Sequence, residues 1–199
     1  MTYTELNHRV HERLKTVSLS QSGQVIVFTW AIAEATFWFI APDFIIGLLV
    51  VIAPASWLIL VRASLFGSLV GGLLSYGLNL LYPEWMAQIL HSTPFVQQSM
   101  IEFVDGVYTK HGHAGVLFQA FSFMQFKIWT QAAVKFDFNA FVYFSFVMIS
   151  RSIRFGASAW LAKIIGSRIE KFLKDHIVLF SILYTLTFIG LLVMLEGRS

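Results

Sequence analysis

The stretch Glu34-Ala-Thr-Phe-Trp-Phe-Ile-Ala-Pro-Asp43 places two carboxylates and a proline inside long apolar sequence. The flanking stretches, 25–41 and 44–61, are otherwise almost entirely apolar. A two-residue Pro-Asp connection is too short to join two complete membrane-spanning helices. Irregular backbone at membrane depth is tolerated only where protein or a wet cavity surrounds it. The sequence therefore predicts a helix-break-helix hairpin over about 25–61, broken at Pro42, that enters and leaves a membrane on one side.

The composition of the chain agrees with a membrane as its solvent. Of the 199 residues, 57% are hydrophobic and 13% are charged, whereas a soluble domain carries about 25% charged residues. The mean hydropathy is +0.70. The 20 phenylalanines and six tryptophans suit a lipid-facing surface with aromatic rings at its interfaces. We therefore predict an all-α integral membrane protein.

The rest of the chain predicts one membrane domain over 23–199, preceded by an N-terminal amphipathic helix over 1–22. In that helix Leu6, Val10 and Leu14 recur at helical spacing, although an ordinary solvated helix fits the pattern equally well. The elements predicted after the first hairpin are a transmembrane helix over 63–82, a polar loop with a surface helix over 83–113, a second re-entrant hairpin over about 114–136, and transmembrane helices over 138–165 and 177–196. This order is that of two opposed re-entrant hairpins in an inverted repeat.

Small residues form a stripe on the first transmembrane helix. Gly67, Gly71 and Gly72 are spaced so that they lie on one side of the helix. Without side chains, they allow the backbone of another helix to approach closely. We expect this stripe to be a helix-packing surface.

The basic residues outside the apolar stretches divide unevenly between the two faces of the predicted arrangement. One face carries eight of them: Arg9, Arg13, Lys15, Arg62, Lys163, Arg168, Lys171 and Lys174. The other face carries Lys110, Lys135 and Arg198. Because cytoplasmic loops are enriched in Lys and Arg, the N-terminus is expected in the cytoplasm.

Five charged residues fall at the predicted membrane depth, namely Glu34, Asp43, Lys127, Arg151 and Arg154. Each such charge costs about 2.5–3.5 kcal/mol at a helix centre. Together they cost on the order of 10 kcal/mol, which is the scale of a whole domain's stability. They must therefore face the interior, pair, or meet water or a charged ligand. Three bases against two acids leave one positive charge, which an anionic ligand such as a lipid phosphate would balance.

Each of these charges has a functional and a structural interpretation. Arg151 and Arg154 share one helix face, and their planar donor forks suit phosphate, but they suit pairing with Glu34 and Asp43 equally well. A buried carboxyl can take up a proton, so the two acids are candidates for proton coupling, and Asp43 also fits a helix N-cap. Lys127 either places its charge near a cavity or snorkels to an interface.

Other classes of function find little support in the sequence. The chain has no cysteine, and its net charge of +3 is too small to indicate nucleic acid binding. The pair His111 and His113 lacks the spaced ligands of a metal site. The apolar stretches hold no Ser/His, His/Glu or Cys arrangement typical of an intramembrane enzyme. We therefore expect no enzyme activity, no metal and no cofactor.

Three motifs, in order, resemble one membrane protein family. Glu34 to Asp43 resembles the hairpin E-x-[ST]-F-x-P-I-P-P-[DE] of the DedA superfamily, also called SNARE-associated Golgi or VTT-domain proteins. Phe121-Ser-Phe-Met-Gln-Phe-Lys127-Ile-Trp-Thr-Gln-Ala-Ala133 is similar to the second hairpin of the small bacterial YqaA-like branch. Ser150-Arg151-Ser-Ile-Arg154-Phe155 resembles the G-R-x-x-R-F of that branch. The second hairpin departs from the pattern, with Gln125 where the family has proline.

The resemblance implies two opposed re-entrant hairpins and lipid translocation in a bacterial inner membrane. Its members move polyprenyl-phosphate carriers or scramble phospholipids. Glu34 and Asp43 would be the family's acidic pair, and Lys127, Arg151 and Arg154 its basic residues.

We therefore expect a transporter or scramblase of an anionic lipid, with membrane lipids as its partners, no nucleic acid, and room for a homo-oligomer. The alternatives are a proton-coupled transporter of a small soluble substrate and a non-transporting membrane scaffold. In the scaffold alternative, the small-residue stripe would face a partner.

Overall fold

The computed structural model describes residues 2–122 and 124–196. Arg198 of the topology prediction and Phe123 of the second-hairpin motif lie outside the described residues. Over the described residues the chain is all-α and contains no strand. The elements are α1 (Tyr3–Leu19), α2 (Gln21–Thr36), α3 (Pro42–Ile52), a 3₁₀ turn (Pro54–Ser56), α4 (Trp57–Leu81), α5 (Pro83–Ser92), α6 (Gln98–His111), a 3₁₀ segment (Gly112–Phe121), α7 (Phe126–Lys135) and α8 (Ala140–Glu196).

The first apolar stretch is broken between α2 and α3, over 37–41. Pro42 begins α3 at the first helical position, where its fixed φ and missing N–H cost nothing. The indole of Trp30 donates to the Ile40 carbonyl at 2.9 Å and holds the connection against α2. With 11 residues, α3 is about 16 Å long, which is too short to cross a bilayer.

The end of the first hairpin differs from the predicted boundary at residue 61. The chain turns at Pro54–Ser56, and α4 begins at Trp57 rather than residue 63. Pro54 cannot continue α3 because it lacks the N–H that the helix would need. The predicted exit of the hairpin therefore forms the first turn of α4.

The small-residue stripe on α4 is covered within the chain. A Cβ on Gly71 would lie 2.7 Å from the Cα of Ile32 on α2, and one on Gly67 would meet the Phe28 carbonyl. Gly72 faces the rings of Phe126 and Phe144 instead. Because these glycines let α2 pack closely on α4, the stripe fixes the position of the first hairpin and is not an outward surface.

The polar stretch 83–113 contains two helices, where one surface helix in a loop was predicted. The second of them, α6, is packed rather than solvated along one face. Val104 and Tyr108 are buried there, and the Tyr108 hydroxyl donates to the Trp129 carbonyl of α7 at 3.1 Å. This stretch therefore packs against α7, the second half of the predicted second hairpin.

The two halves of the second hairpin are of different helix types. Its first half is the ten-residue 3₁₀ segment, and its second half is α7. Runs of 3₁₀ helix longer than three or four residues are uncommon. Of the residues between the two halves, Ser122, Met124 and Gln125 are not helical.

Helix α8 reverses direction at His176. Hydrogen bonding is helical on both sides, but His176 has φ −134° and ψ 26°. Ser158 bonds Asp43 at 2.8 Å, and the ring of Phe188 lies 4.5 Å from that of Phe44. A straight helix would separate residues 158 and 188 by about 45 Å. The limbs 140–175 and 177–196 therefore run antiparallel, and the polar segment between the two predicted spans is helical.

The N-terminal helix α1 packs on the protein. It contacts α8, α3 and α2, and its buried residues are Asn7, His11 and Ser18. Asn7 accepts a hydrogen bond from the Val178 N–H at 3.1 Å, just after the reversal in α8. The predicted N-terminal amphipathic helix thus covers the bend of α8.

Two helices are long and apolar enough to cross a membrane. Among the described residues, one runs over Pro54–Leu81, with 28 residues and a mean hydropathy of 1.8. The other runs over Ala140–Gly190, with 51 residues and a mean hydropathy of 1.5, and includes the reversal at His176.

Candidate functional site

The structure brings all five charges of the apolar stretches together where the two broken hairpins meet. Glu34 lies at the end of α2, Asp43 at the start of α3 and Lys127 at the start of α7. Arg151 and Arg154 project from one face of α8. Helices far apart in sequence therefore share one cluster of charge.

Arg151 and Glu34 form an ion pair that is closed to solvent. Arg151 Nη2 donates to Glu34 Oε2 at 2.9 Å, and the two side chains are 1% and 3% exposed. The guanidinium carbon lies 4.3 Å from the centroid of the Phe126 ring, a cation–π contact. Glu34 Oε1 accepts from the Phe126 N–H at 2.9 Å, so both carboxylate oxygens have partners.

Arg154 and Asp43 form a second pair that is more open. Arg154 Nε donates to Asp43 Oδ2 at 2.7 Å, and the side chains are 12% and 19% exposed. Arg154 Nη1 also donates to the Ser122 carbonyl at 2.7 Å. The other oxygen of Asp43 accepts from the Ser158 hydroxyl at 2.8 Å.

The N-cap interpretation of Asp43 is wrong, because Ala41 is the N-cap of α3 and the cap has no side-chain hydrogen bond. Asp43 lies in the first turn, and its carboxylate bonds side chains of α8.

Lys127 carries the unpaired positive charge that the sequence predicts. Its side chain does not snorkel, since the residue is only 2% exposed. Nζ donates to the Trp38 carbonyl at 2.9 Å. Among the described residues, no carboxylate lies within 4.0 Å of it.

Each hairpin places a charged side chain against a helix end of the other hairpin. Glu34, from the end of α2, caps the N-terminus of α7, and Lys127, from the start of α7, caps the C-terminal end of α2 at Trp38. A helix N-terminus attracts negative charge and a C-terminus positive charge, so both contacts have the favourable sign. Arg154 joins the other two ends, since it links Asp43 of α3 with the carbonyl of Ser122 after the 3₁₀ segment.

A cavity of about 400 Å³ opens beside the second pair. Its wall is apolar apart from its polar lining residues, which are Glu34, Asp43, Ser122, Gln125, Arg154 and Ser158. The apolar lining includes Phe39, Phe121, Met124, Ile153 and Phe188. Lys127 does not line it, so the surplus charge does not face this space. The carboxylates of Glu34 and Asp43 are balanced by Arg151 and Arg154 in this conformation.

Sequence reasoning missed two groups at this site. Ser158 lies four residues after Arg154, so the i, i+4 rule places both on one face, and this spacing could have found it. The Trp38 carbonyl that holds Lys127 carries no signal, because every residue has such a carbonyl.

No metal centre appears in the described parts of the chain, where no group of three or more His, Cys, Asp or Glu side chains comes together. The histidine pair of the sequence has a structural use. His113 Nε2 accepts from the Asn139 N–H at 3.1 Å, and its ring stacks on Phe138.

Comparisons of the chain with protein-family models, with curated proteins and with solved structures find no match. The argument for function therefore rests on the geometry of the charge cluster and its cavity.

Proposed function

We propose that this protein is an integral membrane transporter or scramblase of an anionic lipid, in which the Asp43–Arg154 pair opens to bind the lipid phosphate. The observation that carries the proposal is the cavity. Its lining combines a partly exposed ion pair with a largely apolar wall, as an amphiphile requires.

The placement in a membrane is supported by the surface of the two long helices. Large apolar side chains are exposed along α4 and along the second limb of α8: Phe66, Val70, Leu73, Leu74, Ile182, Leu183, Leu186, Ile189 and Val193. Soluble monomers rarely expose contiguous apolar surface of this extent. In a bilayer, the two broken hairpins would re-enter from opposite sides and meet at the charge cluster, in keeping with the resemblance to DedA proteins.

A lipid suits the cavity better than a soluble substrate does. Phe121 is 81% exposed and borders the cavity together with Ile153 and Phe188. An acyl or prenyl chain would lie along these side chains and leave between the 3₁₀ segment and α8. A small polar solute would gain little from an apolar wall of this kind.

The proposed step is an exchange of partners at Arg154. While Asp43 is ionised it satisfies Arg154, and the charges that line the cavity include no unpaired cation for a phosphate, since Lys127 does not face this space. Protonation of the Asp43 carboxylate oxygen removes the competing anion, so Arg154 can donate its fork to the phosphate. When the lipid leaves, Asp43 releases the proton and pairs again with Arg154. Glu34 and Arg151 stay paired throughout and hold α2 to α8.

The test is lipid movement in liposomes that contain the purified protein and fluorescent anionic lipids. We expect wild-type protein to move the lipid between leaflets and Arg154→Ala to lose most of this activity while still inserting and folding. Arg62→Ala, outside the charge cluster, is the matched control and should remain active.

No movement above protein-free liposomes, with several headgroups and an imposed pH gradient, would contradict the proposal. Proton flux driven by a soluble substrate, without lipid movement, would favour the soluble-substrate alternative instead.

A further inference from the structure

A polar stripe on α7 runs from the protein surface into its core. Lys127, Gln131 and Lys135 are spaced i, i+4 and i+8, so they lie on one face of the helix. The Lys135 side chain is 63% exposed, Gln131 is half-buried and Lys127 is buried. The stripe therefore runs from the exposed C-terminal end of α7 to its buried N-terminal end, on a helix that packs against α4 and α6.

The outer part of this stripe borders a cavity of about 300 Å³. Asn79, Asp105, Gln131 and Lys135 supply its polar lining. Asp105 pairs with Lys135 through one carboxylate oxygen. Its other oxygen, Oδ1, is buried and has no hydrogen-bond partner among the described residues. A buried carboxylate oxygen without a partner favours water at this position.

The inner part of the stripe borders a smaller space that ends at Lys127. It encloses about 170 Å³ between side chains but leaves no room for a water molecule in this conformation. Its polar lining is Thr36, Asn79, Lys127 and Gln131, of which Asn79 and Gln131 also line the outer cavity. The apolar side chains of Met86, Ile89 and Leu90 close it.

Lys127 itself needs a polar environment that the closed space does not supply. An ammonium group has three N–H donors, and among the described residues only the Trp38 carbonyl accepts from it. Leaving donors of a buried charge unsatisfied is unfavourable. Water that entered the inner space would meet those donors, and the polar groups of Thr36, Asn79 and Gln131 already line its path.

We propose that the α7 stripe is a second aqueous access route, which reaches Lys127 when Met86, Ile89 and Leu90 move aside. This route shares no lining residue with the cavity at Asp43 and Arg154. The charge cluster then has two separate approaches, one for the amphiphile and one for water and protons. The use of this route in transport rests on the proposed function, whereas its existence does not.

The chain is suited to an accessibility test because it contains no cysteine. Single variants Gln131→Cys, Thr36→Cys and Ala35→Cys report on the outer cavity, the inner space and the closed core, respectively. Ala35 neighbours Thr36, is fully buried and packs against Gly71 of α4, which makes it the matched control. The probe is a small, charged methanethiosulfonate reagent on both sides of proteoliposome membranes, so orientation does not matter.

We expect Gln131→Cys to react readily, Thr36→Cys to react more slowly and Ala35→Cys to stay unmodified. If Thr36→Cys is as protected as Ala35→Cys while Gln131→Cys reacts, the outer cavity is a blind pocket and the proposal is overturned. Leu90→Cys, which borders the inner space and not the outer cavity, replaces Thr36→Cys if that variant does not fold. Because labelling requires no lipid movement, reactive Thr36→Cys in a protein that moves no lipid would keep the route and reject the lipid function.

Discussion

Two ion pairs made by arginines three residues apart on α8 have opposite surroundings. Arg151 is closed in with Glu34 between aromatic rings, whereas Arg154 borders a cavity and divides its donors between Asp43 and the Ser122 carbonyl. Breaking the first pair leaves a buried charge without its partner. Breaking the second pair exposes a charge to whatever occupies the cavity. The comparison assigns a structural role to the first pair and an exchangeable role to the second.

The largest effect is expected where the closed pair is broken. Arg151→Met leaves the Glu34 carboxylate without its cation in a buried site, which costs about 3–5 kcal/mol. We expect a large fall in the thermal unfolding midpoint of the detergent-solubilised protein. The double variant Glu34→Gln/Arg151→Met removes both charges and should recover part of that loss. If Arg151→Met is as stable as the wild type, the closed pair is not structural.

At the more exposed pair, Asp43 and Arg154, we expect a substitution to change lipid movement without changing the fold. Asp43→Asn imitates the protonated acid, so Arg154 is permanently free for an anion. We expect lipid movement by the wild type to depend on pH, because protonation of Asp43 frees Arg154. In the variant this dependence should be lost. Movement measured across a pH series in liposomes checks this. An unchanged pH dependence in Asp43→Asn would remove the proton from the proposed exchange.

Substitutions at two glycines on α4 test the packing of α2, which positions Glu34 for its pair with Arg151. In Gly71→Ala the new methyl group would meet the backbone of Ile32, and such overpacking costs about 1–3 kcal/mol. Gly77 has open space where its Cβ would lie, so Gly77→Ala should stabilise the helix by up to about 1 kcal/mol. Unfolding midpoints of the two variants should therefore move in opposite directions, and equal shifts would mean that α2 does not pack as described.

The smallest effect is expected from Ser158→Ala, which removes one hydrogen bond from Asp43. Because the site is partly exposed, we expect about 1 kcal/mol, or roughly a fivefold change in the rate of lipid movement. Ser145→Ala is the control, since the exposed Ser145 hydroxyl bonds only the Phe141 carbonyl of its own helix. Equal rates in both variants would show that Ser158 does not position Asp43.

Much of the charge cluster is predictable because charge in apolar sequence is itself a strong signal. The break before α3, the five charges in apolar sequence and the shared face of Arg151 and Arg154 all follow from local spacing. The pairing does not, because either arginine could reach either acid until the packing of α2 and α3 against α8 is known. Nor does the position of Lys127, since its acceptor is the carbonyl of Trp38 rather than a side chain.

The division of α8 was predicted in part. The sequence predicts two spans, with the second beginning at 177, directly after the reversal at His176. It does not predict that the polar segment 163–175 between them is helical. The bend depends on what packs around it, including the Asn7 cap on Val178. Contacts between residues so distant in sequence leave no local pattern.

The Asn7–Val178 hydrogen bond also sets an order of events during synthesis. Its two residues are 171 positions apart, so α1 is synthesised well before the second limb of α8. Until that limb emerges, α1 can pack only on the other elements that it contacts, among them α2 and α3. The contact between Asn7 and Val178 therefore forms only after both limbs of α8 have been made.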